Sequence, residues 1–285
     1  KTVTLTSGTL HTDGAADNSG LTHSWGLFSS STNNTRAINL GKSIIGMTAA
    51  STTVWNAGTP NQTNLTVSWD GTNVATINFT GADAQIAGGL KSWPNINVTG
   101  NSSFAVNSAT LYSLTITGPS NKTFFAQLKS DVTITSALTL TGQSATNRQL
   151  FKATTLGTPL TLTLSGATIS TNNVDFRDIT LQPAASTGKT VTGVADDGTG
   201  KARFATTTAH GLSVNQHINS TVTGYTGIKT VTVVSDTTHF DTADVYAATG
   251  TGAWTYDLTD EGANLIGDCG GNTGITFTTA DDWYW

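Results

Sequence analysis

Charge is scarce in this sequence. Asp, Glu, Lys and Arg make up 11% of its 285 residues, against about 25% in an ordinary soluble domain. Long Lys/Glu faces suit helices, so their scarcity argues against a helical protein. Cysteine is nearly absent: Cys269 stands alone, which excludes an intrachain disulfide and leaves a long repeat core as the way to do without one. The 13 basic residues are scattered among 18 acidic ones for a net charge of -5. That excludes a cationic footprint, and no nucleic-acid partner is expected. No run approaches the roughly 18 apolar residues of a bilayer-spanning helix. The sequence opens at Lys1 without Met or a signal-peptide pattern, so a processed product or a piece of a longer chain is expected.

In place of charge there is Gly (30 residues), with Thr, Ser and Asn. Thr and Val fit pleated surfaces, and Asn and Gly fit tight turns. Many short strands and very little helix are expected.

A strand ending recurs. Asn78-Phe79-Thr80-Gly81, Asn97-Val98-Thr99-Gly100, Thr115-Ile116-Thr117-Gly118, Thr139-Leu140-Thr141-Gly142 and Thr163-Leu164-Ser165-Gly166 close on glycines 19, 18, 24 and 24 residues apart. Ile44-Ile45-Gly46 lies 35 residues before Gly81, close to two such steps. Apolar residues alternate within each period, as in Leu111, Leu114, Ile116 and in Val132, Ile134, Leu138, Leu140. Alternation sends one face inward, and a single rung cannot bury that face alone. Near-constant steps with one ending favour a parallel β-helix over a β-sandwich. The corner glycines are expected to supply positive φ.

After Asp175-Phe176-Arg177-Asp178-Ile179-Thr180 the texture changes to short strands with close Gly and Asp turns, as in Asp196-Asp197-Gly198 and Ala209-His210-Gly211-Leu212. The solenoid texture returns in Ile266-Gly267 and Ile275-Thr276-Phe277. The expected division is a β-helix body over 1–187, an inserted small all-β barrel or sandwich over 188–256, and C-terminal rungs over 257–285. Exposed corners are where solenoids tolerate insertions.

Ser24-Trp25-Gly26, Phe28-Ser29-Ser30-Ser31, Arg36-Ala37-Ile38-Asn39-Leu40-Gly41 and Trp55 resemble phage and metagenomic virion structural proteins with a β-helical segment. So does the pair Asn173-Val174-Asp175-Phe176-Arg177-Asp178-Ile179 and Gly267-Asp268-Cys269-Gly270-Gly271-Asn272-Thr273-Gly274-Ile275-Thr276-Phe277. In that family the two motifs sit close together; their separation here supports an insertion. Residues 200–255, with Gly200-Lys201-Ala202-Arg203-Phe204, Gly224-Tyr225 and Gly252-Ala253-Trp254-Thr255, are similar to a small β-rich module of phage structural proteins. The resemblance implies an all-β, pectin-lyase-like solenoid with an inserted domain. It also implies more sequence beyond Trp283-Tyr284-Trp285.

Many β-helices cut polysaccharides, which needs two carboxyls about 5–9 Å apart. Asp175, Arg177 and Asp178 are the densest charged group on an expected strand. Alternation should point the two carboxyls apart, leaving an ion pair or turn hydrogen bond beside the insertion point. Asp281-Asp282 is expected to be solvated. His11, His23, His210, His217 and His239 lack metal-ligand spacing, and His210 is expected to cap a turn. Trp25, Trp55, Trp69 and Trp93 are candidates for sugar stacking, but plugging or capping the solenoid is the expected role. The Asn-x-Ser/Thr triplets at Asn33, Asn61, Asn64, Asn78, Asn97, Asn101, Asn121 and Asn219 matter only in a eukaryotic host. No catalytic, cofactor or metal residue is assigned. The expected function is a non-enzymatic part of a phage virion, a tail fibre, spike or capsid decoration, on the virion surface or extracellular. Its expected partners are copies of itself, as a trimer if a fibre, other virion proteins and host surface glycans. A bacterial adhesin or filament subunit and a polysaccharide depolymerase are the alternatives.

Overall fold

The computed structural model describes residues 1–13, 20–50, 52–58, 63–100, 103–119, 124–165, 167–183, 189–210, 212, 214, 217–259 and 266–276. Among these the protein is all-β, without helix. Gly166, Asp281-Asp282 and Trp283-Tyr284-Trp285 lie outside the described residues.

Most strands join one 16-stranded parallel sheet, beside a three-stranded parallel one. The pairings sort them into three ladders. The first runs through Thr2–Thr4, Leu27–Ser29, Thr52–Asn56, the start of Ala84–Val98, the start of Ser103–Thr117, Phe124–Leu128, Gln149–Ala153, Val174–Arg177 and Ile266–Asp268. The second is in two pieces. Gly8–His11, Arg36–Asn39 and Leu65–Ser68 form one; the other passes from residues 91–93 through 109–111 and Val132–Thr141 to Leu160–Leu164 and Ile179–Pro183. The third joins Thr22–Trp25, Ile44–Met47, Thr76–Phe79, residues 95–98, 113–117 and 137–141, and Thr168–Asn172. Along the chain the ladders follow one another in this order, round after round, and each strand pairs with its counterpart in the neighbouring round.

Register puts like on like. In the third ladder Ile45, Ile77, Ile96, Leu114, Leu138 and Ile169 form one buried column. Met47, Phe79, Val98, Ile116 and Leu140 form the next. Each fully buried aliphatic or aromatic side chain contributes about 1.5–3 kcal/mol before the entropy of ordering it. The expected alternation of Leu111, Leu114, Ile116 and of Val132, Ile134, Leu138, Leu140 is present, and all are buried. Polar residues interrupt the columns at Thr171, which follows Leu140, and at Gln149, which lies between Phe124 and Val174.

Two expectations are corrected. Ile44-Ile45-Gly46 pairs directly with Thr76-Ile77-Asn78, so the interval to Gly81 is one step and not two. The corner glycines are also not there for positive φ: Gly81, Gly100, Gly118 and Gly142 lack it. Space is the reason at three of them. A Cβ on Gly81 would collide with the Ala49 carbonyl, one on Gly100 would lie 2.5 Å from the Gly81 oxygen, and one on Gly142 would meet the Asn173 oxygen. Gly118 is the exception, with its nearest neighbour at an ordinary 3.5 Å. Left-handed backbone is carried instead by residues such as Asn173 and Asp178, both at φ 54, residue types that tolerate it.

Between Ile179–Pro183 and Ile266–Asp268 the ladders give way to a six-stranded antiparallel barrel. Lys189–Asp196, Lys201–Thr206, His239–Val245, Gly227–Val234, His217–Ser220 and Gly252–Thr259 pair in that order, and the last closes on the first. Its interior is a separate apolar cluster that includes Phe204, Tyr225, Phe240 and Trp254. Phe204 stacks on Phe240 at 5.2 Å between centroids, and Trp254 meets Phe240 edge-on at 5.9 Å. A barrel this small is filled by side chains. Its first hairpin is tied by Asp196 and Asp197, whose carboxylates accept from the N–H groups of Gly198, Thr199, Gly200 and Lys201. The Thr199 and Lys201 donors hold the Asp197 carboxyl below the usual range.

Candidate functional site

The acidic group singled out in the sequence lies where the ladders meet the strand that follows the barrel. Val174–Arg177 pairs with Gln149–Ala153 on one side and with Ile266–Asp268 on the other. Asp175 is buried and accepts from Arg148 Nε at 2.7 Å, while Arg148 also donates to the Val174 carbonyl. Gly267 makes this possible, because a Cβ there would occupy the place of the Asp175 carboxylate. Burial outweighs the Arg148 pairing and pushes the Asp175 carboxyl above the ordinary carboxylate range.

Asp178 has different partners. Its Oδ2 accepts from Gly157 N at 3.0 Å and lies 3.7 Å from Arg177 Nε, and its Oδ1 fills the space a Cβ on Gly271 would take. The Asn272 side chain then bridges two stretches of chain, accepting from Ile179 N and donating to the Phe176 carbonyl and to Asp268. The two carboxylates thus have different partners, Arg148 for Asp175 and Gly157 N with Arg177 for Asp178. Both serve as turn and ion-pair anchors where the chain leaves and rejoins the ladders. The sequence reading missed Arg148 and Asn272. Asn272 carried a signal, standing in the glycine-rich motif paired with Asp175 to Ile179. Arg148 carried none.

Trp25, Trp55 and Trp93 are buried. Trp55 and Trp93 are fully buried and meet edge-on at 5.2 Å, and Phe28 and Trp25 lie against Trp55 at 4.3 and 6.1 Å. Trp55 and Trp93 sit within the stack and not at its ends, which corrects the capping role. Trp69 packs partly buried against the same core. His210 does cap a turn: Leu212 N donates to its Nδ1 at 2.9 Å, so Nε2 bears the hydrogen it gives to the Asp236 carbonyl at 2.8 Å. Arg36 is buried and donates to Ser30 Oγ, the Ser30 carbonyl and the Asn34 carbonyl, pinning the 30–36 connection. Cys269 is half-buried.

Among the described residues no group of three His, Cys, Asp or Glu side chains could hold a metal ion, and no helix is long and apolar enough to cross a membrane. The chain matches no family model, no curated protein and no solved structure.

What remains is the outer surface of the ladders. Outside the third ladder a column passes from Ser24 through Gly46, Asn78, Asn97, Thr115 and Thr139 to Ser170. Beside it Thr99 aligns with Thr80 and with Thr117, which pairs with Thr141. On the other flank Thr76, Asn95 and Ser113 are in register. Asn97 Nδ2 donates to Asn78 Oδ1 at 3.1 Å and Ser113 Oγ to Asn95 Oδ1 at 2.6 Å, so two of the columns carry a side-chain hydrogen bond between neighbouring strands. The other ladders differ. Lys152 and Arg177 follow one another outside the first, with Lys152 over the Phe125 ring at 5.1 Å.

Proposed function

We propose that the chain is a non-enzymatic structural subunit of a phage virion or another extracellular assembly. In this reading the three ladders are the sides of a parallel β-helix, each round of chain is one coil, and the barrel is a domain let into the corner after Ile179–Pro183. The carrying observation is the register: like side chains stack through successive rounds, and Val174–Arg177, ahead of the barrel, pairs in parallel with Ile266–Asp268 after it. A stacked core of this kind, with backbone groups paired between rounds, unfolds slowly, which suits a particle exposed to proteases. The carboxylates that a polysaccharide-cutting site would need are engaged as anchors in the fold. The barrel projects as the module that meets host, neighbour or solvent, and copies of the chain are its first partners.

Antibodies against the barrel, applied to particles and cells from the source material and viewed by electron microscopy, test the reading. Label on intact virions is expected. Label on bacterial surfaces alone would replace the virion by a cell-surface filament. Shortening of a polysaccharide by the purified chain would overturn the non-enzymatic reading.

A further inference from the structure

We infer that copies of this chain pack through the outer face of the third ladder. The inference rests on the structural-subunit reading and adds the surface to it. Three outward columns cover this face, and none of their residues is ionisable. In a chain of net charge -5, two copies approaching here bring no like charges together and desolvate none, a cost of several kcal/mol per ion elsewhere. Approach through the first ladder would instead bury Lys152 and Arg177 against their own copies.

The chemistry is self-complementary. Asn and Thr side chains each carry donors and acceptors, so the same surface on a second copy satisfies both. No aromatic side chain stands in the columns, and base or sugar stacking has nothing to use. The register from Asn95, Ser113 and Ala137 onward is unbroken, so the face is regular. Seven strands at ~4.8 Å and five residues at ~3.3 Å give a footprint of about 550 Å² per copy. Two footprints come to about 1,100 Å², in the range of weak contacts. Without aromatic anchors the association is micromolar or weaker, and it becomes complete only at the high local concentration of an assembly.

Sedimentation of the full chain from about 1 µM to about 0.5 mM tests this, alongside Thr115→Arg in the central column, Thr99→Arg at the exposed strand end, and Thr133→Arg outside the second ladder. The average mass of the wild type should rise with concentration above that of one copy. Thr99→Arg and Thr115→Arg should each weaken association at least tenfold, with Thr133→Arg unchanged. Thr99 is exposed, so its variant keeps the test decisive if Thr115→Arg fails to fold. A wild type that associates while both face variants follow it overturns this face and leaves the assembly reading standing. A wild type monomeric throughout overturns self-assembly itself.

Discussion

Alanine at Gly81 is expected to destabilise the protein by about 3 kcal/mol or more, while alanine at Gly118 leaves stability within about 1 kcal/mol of wild type. Both glycines close the same recurring motif, and composition or periodicity would treat them alike. Their surroundings differ. The added Cβ at Gly81 strikes the carbonyl and backbone of Ala49 in the preceding round, atoms that cannot rotate away. Relief requires neighbouring rounds to separate, which breaks the pairing and packing that hold them. At Gly118 the nearest atom is 3.5 Å away, and alanine gains slightly by restricting the unfolded chain. Denaturant unfolding of the two variants checks the contrast. Equal, small effects would mean that rounds are not in backbone contact at Gly81.

Arg148→Met should cost about 3–5 kcal/mol at neutral pH, because it leaves the Asp175 carboxylate buried without its ion-pair partner. The cost should shrink in acid, for a reason fixed by sign. Burial already raises the Asp175 carboxyl in the folded protein, so its protonated form is favoured on folding. Its contribution is fully present below the unfolded value of about 3.9 and is lost as pH rises through the folded value. Without Arg148 the folded value is higher still, so the variant loses more over a wider range. Melting temperatures of both proteins between about pH 4 and 7 should diverge upward in pH. A gap constant with pH would show that Arg148 acts by packing alone.

Much of the architecture was legible. Alternation in Val132, Ile134, Leu138 and Leu140 placed the buried face, and the Thr-Gly endings marked where successive strands end, because both follow from local geometry. After the change of texture at Thr180 the chain turns to antiparallel strands, which run from Lys189 to Thr259. What was not legible depends on contacts between rounds. The corner glycines looked like positive-φ positions, because sequence shows a missing side chain without showing what would strike it. Ile44-Ile45-Gly46 looked two steps from Gly81, because long connections between strands stretch the period without changing the register. At the junction, Asp175 and Asp178 stood out as the densest charged group, but Arg148 reaches Asp175 across 27 residues of chain and no local pattern announces it. The aromatic cluster had the same difficulty: Trp25, Trp55 and Trp93 are far apart in sequence, stand on three different ladders, and meet only in the folded core.

The coiled arrangement is tested most directly by distances along one column. In a Cys269→Ser background, spin labels at Ser24 and Thr115 span four steps of the third ladder, and labels at Ser24 and Ser170 span six. At ~4.8 Å per step, backbone separations of about 19 Å and about 29 Å are expected, growing in proportion to the number of steps. Distances that do not grow with step number, with Ser24 and Ser170 held about 10 Å apart as in two face-to-face sheets, would contradict the coil.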